Sequence, residues 1–158
     1  MKYKAAVIFL SAVLVFVLGG CSREKMEHVY VMNKICDTEP RLSITKITVT
    51  NKNTKVDFKY VYKIIRILTP GTNEALSVTP PGQTGALSIV SADGGKKYKL
   101  LKVDGIPTMP DYALLKTGSV VEFILTFERI DDFLKKFDIV EGDAGMTIPW
   151  KFLNIQLP

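Results

Sequence analysis

The sequence predicts an all-β domain, an immunoglobulin-like β-sandwich of about seven or eight strands with one short helix near residues 131–136. Three observations carry this. Apolar and polar residues alternate in short runs, most cleanly where Val56, Phe58, Tyr60, Tyr62 and Ile64 interleave with Lys55, Asp57, Lys59 and Lys63. Turn signals rich in glycine, proline and asparagine separate the runs. Helical spacing appears at one place, Ile130, Phe133, Leu134 and Phe137. A closed barrel is the main rival, since it draws on the same alternation.

The elements follow in order. Val29-Tyr30-Val31 suits a short edge strand. Leu42, Ile44, Ile47 and Val49 alternate with a change of register at Thr45-Lys46, the mark of a bulged strand. Asn51-Lys52-Asn53 is a turn into the strand that starts near Val56. Thr69 to Gly85 carries three prolines and three glycines and reads as an irregular connection. Ala86–Val90 and Tyr98–Val103 form a hairpin about Asp93-Gly94-Gly95, where glycine tolerates positive φ. Gly105 to Gly118, with Pro107 and Pro110, is a second loop before the strand of Val121, Phe123, Leu125 and Phe127. Asp131 to Lys136 is the short helix, its aspartates favourable near the N-terminus. Trp150 to Leu157 closes the domain, with its apolar phase switching between Phe152 and Leu153.

The first 25 residues speak to location. Lys2 and Lys4 precede an uncharged run, Ala5 to Leu18, that ends in Leu18-Gly19-Gly20-Cys21. Fourteen residues are too few to span a bilayer, which takes roughly 20, but suit a signal-peptide core. The last four resemble the lipobox of bacterial lipoproteins. That resemblance implies acylation of Cys21, cleavage before it, and a membrane partner held through acyl chains, each buried CH₂ contributing about 0.8 kcal/mol. The organisation expected is a signal peptide over 1–20, a lipid-anchored tether over 21–38 and the sandwich over 39–158. Ser22 follows the cysteine. By resemblance to sorting rules in some diderm bacteria, a residue other than aspartate there implies the outer membrane. An ordinary secretory signal or an uncleaved anchor is the alternative.

Composition bounds the rest. Loss of residues 1–20 removes two lysines and lowers the formal charge from +5 to +3, too mild for the concentrated basic face of a nucleic-acid binder. An acylated Cys21 leaves Cys36 without a disulfide partner, and a lone thiol is most simply a small buried side chain. Without acylation a Cys21–Cys36 bridge becomes available.

Catalytic groups are scarce. His28 is the single histidine, and a Cys36–His28 dyad is the one nucleophile–base pairing that can be written down. Metal-ligand spacing, phosphate loop and serine elbow are all missing from the sequence. No catalytic residue, metal site or cofactor is assigned, and the chain is expected not to be an enzyme. Glu128, Asp131, Asp132, Asp138, Glu141 and Asp143 crowd 16 residues, but their spacing matches no calcium loop.

Two binding surfaces emerge. Ile106, Met109 and Tyr112, in the proline-bearing loop, are candidate contacts for an envelope protein partner, since loops carry binding on rigid scaffolds. Lys96, Lys97 and Lys99, with Lys102 beside them and Lys55, Lys59 and Lys63 on another strand, are candidates for an anionic envelope ligand, a lipid head group or glycan. Such lysines also serve simply to solubilise a sheet and discourage edge-to-edge pairing.

The segment from Gly105 to Leu157 resembles uncharacterised bacterial envelope proteins with a small immunoglobulin-like sandwich. The resemblance rests on Gly105-Ile106-Pro107, Phe123 to Glu128, Phe137 to Gly142 and Trp150-Lys-Phe152. It implies fold and compartment and attaches no catalytic role. Within it, Phe137 and Trp150 are expected to pack under the short helix, and Glu141 to accept backbone hydrogen bonds at a corner.

Overall fold

A computed structural model describes residues 27–63, 74–142 and 148–158. Ten strands form among them, in the order β1 (His28–Ile35), β2 (Leu42–Val49), β3 (Asn53–Val61), β4 (Glu74–Leu76), β5 (Ser88–Ser91), β6 (Lys97–Asp104), β7 (Ala113–Leu115), β8 (Val120–Glu128), β9 (Lys136–Val140) and β10 (Lys151–Gln156). Eight of them make one antiparallel sheet ordered β1-β2-β3-β8-β6-β5-β9-β10, and β4 pairs with β7 outside it.

This sheet is nearly a barrel. Its terminal strands meet at one end, where the Asp37 N–H donates to the Lys151 carbonyl at 2.7 Å. The Leu153 N–H donates to Asp37 Oδ2 at 2.7 Å, and the Cys36 thiol donates to the Lys151 carbonyl at 3.2 Å. Thr38 Oγ1 completes the seam, donating to the Pro149 carbonyl at 2.8 Å and accepting the Lys151 N–H at 3.0 Å. The expected immunoglobulin-like sandwich divides its strands between two sheets. Here the ladder continues unbroken from β8 through β6 and β5 to β9. Alternation along a strand says which residues point inward, and sandwich and barrel share that requirement.

The inward residues fill the interior. Thr54, Val56, Phe58 and Tyr60 of β3 alternate with its exposed or half-exposed residues, and Phe123, Leu125 and Phe127 of β8 lie opposite. Phe58 stacks on Phe123 with centroids 5.1 Å apart and meets the Phe152 ring edge-on at 5.5 Å, both favourable ring geometries. Bulges keep the apolar phase facing in. The register shifts between Ile44 and Lys46, where the sequence predicts it, and again between Phe152 and Ile155. The second bulge turns Leu153 and Asn154 outward together, with Asn154 in the left-handed region at φ 56°.

The predicted helix near 131–136 is absent. Asp131 to Leu134 is a single turn closed by the Leu134 N–H to the Asp131 carbonyl at 3.0 Å, and Lys136 already begins β9. Six residues repay helix nucleation poorly, whereas strand β9 gains ladder partners on both sides, β5 and β10. The apolar spacing is split: Ile130 and Phe137 are buried, while Phe133 is 82 % exposed. Strands β4 and β7 lie inside the two segments read as irregular loops, and β1 occupies residues 28–35 of the expected tether.

Gly105 is required where it stands. Its φ of +86° is a left-handed value, and a Cβ there would lie 2.9 Å from the Glu122 carbonyl oxygen. It releases the chain from β6 into the long loop that leads to β7.

Candidate functional site

Antiparallel strands sort the connections onto two ends of the barrel. One end holds the start of β1, the Thr50–Asn53 turn, the 129–135 turn and the Ala92–Lys96 hairpin. The other holds the β1–β2 connection, the β4–β7 pair, the 105–112 loop, and the segment around Trp150 that enters β10. This second end carries the long connections and the most site-like group of side chains.

At its centre is Arg41. Its Nε donates to Glu39 Oε1 at 2.8 Å, its Nη2 to Glu39 Oε2 at 2.7 Å, and its Nη1 to Glu74 Oε2. The guanidinium carbon lies 5.3 Å from the Tyr60 ring centroid and 5.8 Å from that of Tyr62, within cation–π range. The Tyr60 hydroxyl donates to Glu74 Oε1 at 2.8 Å. Arg41 hydrogen bonding holds the Glu39 carboxyl below its usual range, and Glu39, with Glu74, holds the guanidinium firmly protonated. Burial first, then the Glu74 hydrogen bond, pushes the Tyr60 phenol well above its ordinary value.

Glu141 lies nearby, 7 % exposed, at the exit of β9. Burial raises its pKa, and a hydrogen bond from the Trp150 N–H to Oε2 at 3.0 Å opposes the rise. Its position depends on a close approach of backbones: a Cβ on Gly142 would lie 2.9 Å from Gly85 Cα, and the Gly142 N–H donates to the Gly85 carbonyl at 3.1 Å. Glu39, Glu74, Glu141, Tyr60, Trp150 and Met109 thus share one cavity of about 290 Å³. Its wall is acidic and aromatic. Such a wall accepts hydrogen-bond donors and cations and offers apolar area beside them.

The predicted site residues fall in three places. Ile106 is 8 % exposed and belongs to the core, so its role as an exposed contact is corrected: the turn at Gly105 aims it inward. Met109 lines the acidic cavity, and Tyr112 is 58 % exposed. Lys96 lies toward the opposite end, paired with Asp131 at 2.8 Å and over the Tyr98 ring at 5.0 Å. Lys97 and Lys99 are exposed on one face of β6 and line a separate groove of about 290 Å³ with Gln83 and Leu101. Cys21 lies outside the described residues.

Cys36 is buried at 3 % exposure and His28 is exposed at the far end of the same strand. Seven extended residues separate them by roughly 25 Å, so the dyad does not form. The acidic run is also dispersed. Asp131 and Asp132 pair with Lys96 and Arg129, Asp138 accepts the Asn154 N–H, and β9 carries Glu141 to the other end. Asp143 lies outside the described residues. Among the described residues no group of acidic, histidine or cysteine side chains is placed to hold a metal ion, and no helix is long and apolar enough to cross a membrane.

Sequence reasoning missed Glu39, Arg41 and Glu74. Nothing in their local pattern sets them apart, because a shared contact across 33 residues is a product of strand pairing. The chain matches no family model, no curated protein and no solved structure.

Proposed function

We propose that this protein is a non-catalytic cell-envelope lipoprotein, anchored through Cys21, whose β domain presents its loop-rich end to a protein partner. The lipobox resemblance supports the anchor. The observation that carries the binding reading is the opposition of the two ends. Strand β1 starts at His28, seven residues from Cys21, while the acidic cavity and the 105–112 loop lie at the end where β1 finishes. An anchored domain therefore holds its tether at one end and its long loops at the other. Exposed Tyr112, Leu114 and Ile148 add apolar area to the loop end, and interface cores favour such residues beside a few fixed polar groups.

Photo-crosslinking in intact cells tests this. A crosslinker replacing Tyr112 is expected to capture a specific protein, while one replacing Asn33 on the outer side of β1 does not. Equal background capture from both positions would sink the reading.

A second reading has one observation in its favour. Lys97 and Lys99 have no carboxylate within ion-pair distance among the described residues and border one groove. An anionic envelope ligand fits there. Salt-sensitive retention on anionic glycans, lost on neutralising Lys97 and Lys99 together, is the expected behaviour; salt-independent retention removes it.

A further inference from the structure

The end of the barrel that holds the start of β1 carries an unusual side chain. Phe133 is 82 % exposed at the tip of the turn between β8 and β9. An exposed hydrophobic residue is ordinary when alone. This one is held out by a turn fastened on every side. Ile130 anchors the turn in the core at 1 % exposure, and its N–H donates to Thr54 Oγ1 at 3.0 Å. Leu134 packs against the core cluster from the other flank. Asp131 accepts Lys96 at 2.8 Å and the Tyr98 hydroxyl at 2.8 Å, while Asp132 pairs with Arg129, which also donates to the Thr50 carbonyl at 3.0 Å. The ring is thus presented to solvent by a rigid support.

The charges around it are uneven in their availability. Asp131 and Asp132 are paired as above, and Asp93 accepts the Ser91 hydroxyl and the Gly95 N–H within its own hairpin. Lys52, Lys97 and Lys136, exposed at the same end, have no carboxylate within ion-pair distance among the described residues. Glu27, Asp93 and Glu128 likewise have no cation within ion-pair distance among the described residues, so this end offers three available ammonium groups interspersed with carboxylates, together with one projecting aromatic ring.

From Cys21 to His28 the chain is seven residues, a reach of at most about 25 Å. Resting on the lipoprotein reading above, we propose that this end docks on the membrane: Phe133 enters the interface of an anionic bilayer and Lys52, Lys97 and Lys136 contact its head groups. An aromatic ring with flanking lysines suits that interface, where apolar burial and attraction to anionic lipid add. Docking fixes the barrel upright and points the acidic cavity away from the membrane. It makes the anchor an orienting device as well as a tether.

The test uses the full-length protein, expressed in bacteria, purified in detergent and reconstituted into vesicles of phosphatidylcholine and phosphatidylglycerol in equal parts, with brominated acyl chains. Phe133→Trp places a fluorophore at the tip, while native Trp150, at the other end of the barrel, serves as the internal reference. Emission from the Phe133→Trp variant is expected to be quenched by the brominated lipid, with wild-type emission unchanged. Replacing Lys52, Lys97 and Lys136 together with glutamine lowers the ratio of docked to undocked protein at least about tenfold, since each lysine near an anionic surface is worth about fivefold in partition. Intact-mass analysis of Cys21 separates the two ideas. An acylated Phe133→Trp chain whose added fluorophore shows no quenching overturns the docking and leaves the anchor standing. A chain without an acyl adduct on Cys21 overturns the anchor, and the docking with it.

Discussion

Arg41→Met is the sharpest probe of the loop-rich end. It keeps an unbranched stem against Tyr60 and Tyr62 and deletes the guanidinium that ties Glu39 to Glu74. Charge-assisted hydrogen bonds contribute about 1.5–3 kcal/mol each when well shielded, and exposed pairs about 0–1 kcal/mol. Arg41 has a side-chain exposure of 26 %, with Glu39 at 18 % and Glu74 at 30 %, so the value lies between these limits. The variant also loses cation–π attraction of about 0.5–1 kcal/mol and leaves two carboxylates facing one another. The expected loss of stability is about 2–3 kcal/mol, measured by urea unfolding followed through Trp150 fluorescence. A double-mutant cycle with Glu74→Gln is expected to show coupling of about 1 kcal/mol. The pH dependence has a definite sign. The Glu39 pKa is lowered in the folded state, so its contribution is present above the ordinary glutamate range and is lost as pH falls through the lowered value. The wild-type advantage over the variant therefore shrinks in acid. A loss below about 0.5 kcal/mol at neutral pH, or an advantage that grows on acidification, would refute the assignment of Arg41 as the organising cation.

Other outcomes follow from the same geometry. Gly105→Ala forces a side chain into a left-handed position 2.9 Å from the Glu122 carbonyl and is expected to cost about 2–4 kcal/mol by chemical denaturation; a loss under about 1 kcal/mol would show the turn to be adaptable. Glu141→Gln keeps an acceptor for the Trp150 N–H but cannot ionise. Because burial raises the Glu141 pKa, wild type loses stability as pH rises from the ordinary glutamate range through the raised value, and the variant gains on it across that window. Thermal melts at a series of pH values check this, and a parallel pair of curves would contradict it. Cys36, buried and hydrogen-bonded to Lys151, is expected to resist thiol reagents in the folded protein and to react on unfolding; native-state labelling at the rate of a free thiol would place it elsewhere. Ile106→Asp is expected to destabilise by about 3 kcal/mol or more, and Tyr112→Asp by less than about 0.5 kcal/mol, because one side chain is in the core and the other is in solvent.

Sequence and structure agree wherever a residue's environment is set by its own strand. Alternation identifies Val56, Phe58, Tyr60, Tyr62 and Ile64, and Val121, Phe123, Leu125 and Phe127, as inward residues; seven of them are buried, Val121 is half-buried, and Ile64 lies outside the described residues. The register change at Thr45-Lys46 is a bulge, and Asp93-Gly94-Gly95 turns a hairpin between β5 and β6. Glu141 accepts a backbone hydrogen bond at its corner, as expected from the residues, while the helix under which Phe137 and Trp150 are expected to pack is absent. Agreement ends where a neighbour decides. Ile130, Phe133, Leu134 and Phe137 have helical spacing, yet β5 and β10 draw residues 136–140 into the sheet. Strands β4 and β7 are three residues each and exist through one another, though they begin 39 residues apart, at Glu74 and Ala113, so neither has a signal of its own.

By itself the sequence determined the β class, most of the core, the main turns and the resemblance of its N-terminal segment to a lipoprotein signal. These are local properties, written in the period of two along a strand and in residues whose backbone preferences are their own. The tertiary structure alone decided that the sheet curls toward a barrel, that Ile106 turns in while Phe133 turns out, and that Glu39, Arg41, Tyr60 and Glu74 meet at the end away from the start of β1. Those outcomes depend on which strands pair and in what register. That is a choice made by the whole chain at once, through packing and hydrogen bonds between residues distant in sequence.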